Sequence, residues 1–128
     1  MQGENERETE KRFPSLAVQW EDNMAEALRK AHRSDKLVFV NFGAPWCGWC
    51  RKLERTTLAN PEVQRILSKH FINVKIDGDK QKDLLPRYKV QGFPTLLIMD
   101  KSGTVVFRQP GYVTTEQLLR VFRSIIKT

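Results

Sequence analysis

The sequence predicts an α/β fold, a central mixed β-sheet flanked by helices on both faces. Three observations carry that expectation. Strand-like and helix-like segments alternate along most of the chain, in the order β-α-β-α-β-α-β-β-α. One run, Leu37-Val38-Phe39-Val40-Asn41-Phe42, is almost continuously apolar, the pattern of a strand covered on both faces. The only two cysteines then fall three residues apart, in Cys47-Gly48-Trp49-Cys50, between that run and the helix-like Arg51-Lys52-Leu53-Glu54-Arg55. Strand, turn, Cys-x-x-Cys, helix is the setting of a thiol–disulfide redox site.

The elements follow in order. Residues 1–13 are polar and charged, with Glu4, Glu6, Glu8 and Glu10 set against Arg7, Lys11 and Arg12, and read as a disordered tail or linker. Residues 14–128 then form the domain. Leu16-Ala17-Val18-Gln19-Trp20 is a short strand candidate. Asp22 or Asn23 can cap a helix in which Met24, Ala27, Leu28 and Ala31 share a face, and Ser34-Asp35 ends it. After the central strand a helix starts near Cys47. Asn60-Pro61 marks a kink or restart, with Asn60 capping and Pro61 at the first helical position, and Val63, Ile66 and Leu67 extend the apolar face.

Phe71-Ile72-Asn73-Val74-Lys75-Ile76 alternates as a strand does, and Asp77-Gly78-Asp79 turns the chain. A short helix is expected over Lys82 to Tyr88. Thr95–Met99 and Thr104–Phe107 make a hairpin around Asp100-Lys101-Ser102-Gly103. Thr114 or Thr115 caps a last helix with Leu118, Leu119, Phe122, Ile125 and Ile126 inward. Crossover helices should join the first three strands.

Bulk properties narrow the function. The 128 residues suit one domain with a real core. No apolar run reaches the ~20 residues of a membrane span, and no signal peptide opens the chain. The net charge of +7 lies in the body, not the tail. It reads as solubility and solvated helix faces, because no dense basic run points to nucleic acid. No nucleotide loop, paired-carboxylate site or Ser-His-Asp set is visible.

Ala44-Pro45-Trp46-Cys47-Gly48-Trp49-Cys50, Tyr88-Lys89-Val90-Gln91-Gly92-Phe93-Pro94-Thr95 and Pro110-Gly111 together resemble the thioredoxin superfamily, over roughly Leu16 to Lys127. Arg51-Lys52-Leu53-Glu54 followed by Asn60-Pro61-Glu62-Val63 looks most like the thioredoxin-like domain of bacterial membrane disulfide-reducing transporters. The resemblance implies a thioredoxin-like fold and a protein thiol–disulfide oxidoreductase, acting as a reductase or electron relay.

The motif chemistry assigns roles. A Cys47 thiolate at a helix N-terminus is favoured by free backbone N–H groups and the helix dipole, so Cys47 is the expected nucleophile. Cys50, one turn in and expected to be more buried, is the resolving thiol. Gly48 permits a tight turn and close approach of a partner. Trp46 offers a flat apolar surface for docking. Trp49 is expected to be exposed, where typical thioredoxins place a proline. Arg51 and Lys52 add positive potential or are solvated helix positions. The resemblance further implies that the Phe93–Pro94 bond is cis and faces the cysteines, that the Phe93 main chain pairs with substrate backbone, and that Gly111 edges the groove.

Two positions depart from the family. The buried Asp usual six residues before the first cysteine is Asn41, and its usual Lys partner aligns with Asn73. An amide cannot take a proton from the resolving thiol, whereas a carboxylate can. The proton of Cys50 is therefore expected to go to water or to another group such as Glu54. The plainer reading makes Asn41 and Asn73 hydrogen-bonded structural residues.

Two other function classes compete. A dimer pooling two Cys-x-x-Cys pairs could hold zinc or an iron–sulfur cluster, although His32 and His70 lie too far off to complete a ligand set. A thioredoxin fold could also serve as an interaction module. The oxidoreductase needs no cofactor, since the cysteine pair carries the electrons. Its partners would be protein disulfide substrates and an upstream reductant, either a flavin-dependent reductase or a membrane electron carrier, with no nucleic acid. A monomer is expected. An extracytoplasmic, periplasmic site after removal of a signal or anchor is favoured over the cytoplasm.

Overall fold

The computed structural model describes residues 18–126. The charged tail over residues 1–13, Leu16, Ala17 and Lys127 lie outside them. Five strands and five helices run in the order β1 (Trp20–Glu21), α1 (Met24–Ser34), β2 (Leu37–Gly43), α2 (Gly48–Arg55), α3 (Pro61–His70), β3 (Phe71–Asp77), α4 (Leu84–Arg87), β4 (Thr95–Met99), β5 (Val105–Pro110) and α5 (Thr115–Ile125). The sheet order is β1-β3-β2-β4-β5. β1, β3 and β2 are parallel, β4 runs antiparallel to β2, and β5 runs antiparallel to β4. This is the mixed, doubly covered sheet expected from the alternation of elements.

Local chemistry sets most boundaries. Asn23, not Asp22, caps α1, because its Oδ1 accepts the Glu26 N–H at 2.9 Å. Asp35 ends α1 in the left-handed region, φ 55°. Asn60-Pro61 is a restart rather than a kink: Asn60 Oδ1 accepts the Glu62 and Val63 N–H groups, and Pro61 opens α3 where no N–H is needed. Thr114 and Gln117 form a reciprocal capping box on α5. The predicted strands shift at their ends. β1 is Trp20–Glu21, and β5 runs on to Pro110, since pairing with β3 and with β4 respectively sets their lengths rather than local pattern.

β2 lies between β3 and β4 and is buried almost throughout. Its side chains alternate between two cores. Val38, Val40 and Phe42 join Ala27, Ala31, Val74, Ile76 and Leu97 on the α1 side. Phe39 joins Leu53, Leu67, Leu96, Leu118 and Phe122 under α2, α3 and α5.

Candidate active site

Sheet register brings three loops to one end of the molecule. Phe42 pairs with Thr95, so the loop leaving β2 and the loop entering β4 emerge together. Thr95 also pairs with Pro110, which brings Gly111 to the same end. Cys47 caps α2 there, and the Gly111 N–H donates to the Pro94 carbonyl at 2.7 Å. Gly111 has φ 85°, a conformation that favours glycine. The Phe93–Pro94 bond is cis.

Cys47 and Cys50 are joined as a disulfide, with Cα atoms 5.3 Å apart. Cys47 Sγ accepts the Cys50 backbone N–H at 3.1 Å. The first turn of α2 carries no acidic residue. An N–H and the positive end of a helix thus point at the sulfur that would carry charge on reduction. Cys47 is 5 % exposed and Cys50 4 %, so burial does not separate them as expected. Position on the helix is what makes the two cysteines different: Cys47 caps α2 and Cys50 lies within its first turn.

Those tryptophans are the most exposed large apolar side chains among the described residues, Trp46 at 67 % and Trp49 at 58 %. Trp46 is held on one side: its Nε1–H donates to Asp79 at 2.9 Å, and its ring meets Phe93 edge-on at 5.9 Å. Trp49 lies 5.6 Å from Tyr112 on the other side. Lys52 Nζ sits 5.0 Å from the Trp49 ring and 5.4 Å from the Tyr112 ring. Tyr112 shares a 3.1 Å hydrogen bond with Thr56. Hydrogen bonds to Thr56 and Thr57, with the Lys52 charge, hold its phenol below the usual range. Arg51 is engaged with the loop before Cys47, where its Nη1 donates to the Pro45 carbonyl at 2.7 Å.

Phe93 rests on Gly78. A Cβ at position 78 would come within 2.6 Å of Phe93 Cε1. Gly78→Ala is therefore expected to push the ring off its seat, loosen Trp46, and cost about 1–3 kcal/mol through overpacking. A lowered Tm together with a raised KM for protein disulfides would bear this out. An unchanged KM would mean that Phe93 does not shape the groove.

Beneath Cys50 lies a cleft of about 320 Å³ whose walls include Cys50, Arg51, Glu54 and Lys75. Glu54 and Lys75 form an ion pair at 2.7 Å. Both are partly solvated, so the pair stabilises the fold by at most about 1 kcal/mol. A second cleft of about 200 Å³ borders Glu54 and Lys75 from the other side and includes Asn41. Asn41 is buried, and its Oδ1 has no protein partner among the described residues. Asn73 is buried too, and its Oδ1 likewise has no partner among the described residues, but its Nδ2 donates to the Leu67 carbonyl at 2.9 Å, tying β3 to the end of α3. Asn73 stands in register with Phe39, whereas Lys75 stands opposite Asn41. Lys75 thus holds the place beside Asn41 that the sequence comparison gave to Asn73. Tyr112, Asp79 and Gly78 were likewise not singled out from the sequence, and only Tyr112, next to Gly111, had a local signal.

His32 is exposed on α1 and His70 ends α3. Burial first, then Lys69, Arg65 and Lys36, hold His70 below its usual range. No three His, Cys, Asp or Glu side chains among the described residues gather as a metal-holding group. No helix among them is long and apolar enough to cross a membrane.

Comparison with known proteins decides the family. Residues 24–126 match the model of the thioredoxin-like domain. The chain belongs to the thioredoxin-like family. Among its relatives is the disulfide bond reductase DsbH of Chlamydia pneumoniae, 31% identical over 124 residues, which covers 85% of this chain and 74% of DsbH. Protein disulfide isomerase-like 5-3 of Oryza sativa subsp. japonica is 41% identical over 70 residues, 55% of this chain but 16% of that protein. The thiol:disulfide interchange protein DsbD of Photorhabdus laumondii is 37% identical over 73 residues, 55% of this chain and 13% of DsbD. The solved thioredoxin of Thermus thermophilus superimposes with a TM-score of 0.76 at 27% identity, over 86% of this chain and 88% of that one. The chain therefore spans under a fifth of two of these relatives and about three-quarters of DsbH. With its disulfide at the N-terminus of α2, this thioredoxin-like domain is a thiol–disulfide oxidoreductase.

Proposed function

We propose that this thioredoxin-like domain works in the reducing direction, on disulfides of other proteins, as a monomer recharged by an upstream protein reductant. The Cys47 thiolate attacks one sulfur of a substrate disulfide, forms a mixed disulfide and expels the other substrate sulfur as a thiolate. Cys50 then loses its proton, attacks Cys47 Sγ and releases the second substrate thiolate. Two electrons pass to the substrate, and the Cys47–Cys50 disulfide is left for the reductant.

One observation carries this reading. The disulfide caps α2 at the sheet end where the cis Pro94 loop and Gly111 also emerge. An extended substrate strand laid along Phe93 and Gly111 would present its sulfur to Cys47. Trp46, Gly48 and Trp49 would form the floor of that groove. Glu54 would take the Cys50 proton across the cleft they share, with Lys75 holding the carboxylate in place. The similarity to DsbH, a disulfide bond reductase, supports the direction. The reading includes a role in cell redox homeostasis on the extracytoplasmic side, where exchangeable protein disulfides persist.

The direct test is the reduction potential of the pair, followed by Trp fluorescence in a graded thiol/disulfide buffer. A value near about −270 mV is expected for a reductase, and one near about −120 mV would reverse the assignment to an oxidant.

A further inference from the structure

The two tryptophans beside the cysteines have different charged neighbours. Asp79 accepts the Trp46 N–H, and Arg51 is tied to the Pro45 carbonyl beside it. On the Trp49 side stands Lys52, its ammonium held over the Trp49 and Tyr112 rings. Among the described residues no carboxylate pairs with Lys52, although six ion pairs form elsewhere among them. Thr56 fixes the Tyr112 ring through its hydroxyl. Tyr112 follows Gly111, whose N–H bonds the Pro94 carbonyl, so this cationic strip continues into the groove edge.

We propose that the Lys52–Trp49–Tyr112 strip selects protein substrates with acidic residues flanking the reactive cysteine. The proposal rests on the thiol–disulfide reading of the same site. Stacking fixes the long Lys52 stem in advance, so little further side-chain entropy is lost when a carboxylate arrives. The rings cover one side of the ammonium and leave its other N–H groups for the incoming acid. Together with the net charge of +7, the strip draws an acidic segment toward Cys47 and speeds its encounter more than it tightens the final complex. A polypeptide fits this place better than a nucleic acid, because the strip lies against the thiols and the backbone-pairing loop.

The test uses three disulfide-bonded peptides that differ only in the residues flanking one cysteine: Glu, Gln or Lys. Each is reduced by the wild-type protein, by Lys52→Gln and by Lys52→Glu, in low and high salt. Every rate is divided by that protein's own rate on 2-hydroxyethyl disulfide, which is uncharged, so a loss of folding or general activity cancels. The wild type is expected to favour the Glu peptide over the Lys peptide about 5- to 10-fold at low salt, a rim-charge effect that shrinks as salt screens it. Lys52→Gln should level the preference and Lys52→Glu should invert it. The same Glu-to-Lys ratio in all three proteins would overturn the proposal. So would a single-stranded oligonucleotide that blocks reduction through Lys52, which would make nucleic acid the occupant. Failure of the wild type to reduce 2-hydroxyethyl disulfide at all would instead defeat the thiol–disulfide reading, and the proposal with it.

Discussion

Cys50→Ser is expected to leave the protein covalently joined to its substrates, and Cys47→Ser is not. In Cys50→Ser the attack by Cys47 still occurs, but no second thiol returns to release the mixed disulfide. In Cys47→Ser no thiolate stands where the Cys50 N–H and the start of α2 stabilise one. Multiple-turnover reduction should fall by ~10³-fold or more in both variants, as when a catalytic nucleophile is lost. Nonreducing gels after acid trapping separate them. The asymmetry matters because the two cysteines are equally buried, so only helix position assigns the roles. Adducts formed by Cys47→Ser in place of Cys50→Ser would reverse them. Adducts in neither would remove the two-step mechanism.

Slower resolution is the expected result for Glu54→Gln, by about a hundredfold, the lower end of what a positioned base contributes. Glu54 and Asp77 both share a cleft with Cys50, and of the two Glu54 is the one that Lys75 holds, at 2.7 Å. The amide keeps the shape but cannot take the proton. Asn41→Asp should speed resolution in the wild type and restore it in Glu54→Gln. The new carboxylate would sit in register opposite Lys75, a ready counter-charge, which limits the cost of burying it. Rapid mixing with a chromophoric disulfide, quenched in acid, follows decay of the mixed disulfide directly. Unchanged decay in Glu54→Gln would leave water or Asp77 as the proton acceptor. Unchanged decay in Asn41→Asp would make Asn41 a structural residue only.

Much of this site was legible because its signals are local. A Cys-x-x-Cys after an apolar strand specifies a strand-turn-helix within a few residues. The caps at Asn23, Asn60 and Thr114 act within three residues of themselves. Features that depend on distant partners were not legible. Trp46 meets Asp79 across 33 residues, and Thr56 meets Tyr112 across 56. Lys75 carries no signal of its own within an alternating strand, and β2–β3 register sets it opposite Asn41. Gly78 read as part of a turn, and only packing shows the Phe93 ring seated on it.

The sequence by itself determined the order of elements, the central place of Leu37–Phe42, and the redox pair at Cys47 and Cys50. Each depends on the periodicity or chemistry of neighbouring residues, which a chain carries wherever it folds. The tertiary structure decided which groups surround that pair: Glu54 with Lys75 beneath Cys50, and Lys52 with Tyr112 beside Trp49. Those neighbours depend on strand register, and a one-residue slip would turn Lys75 to the opposite face of the sheet.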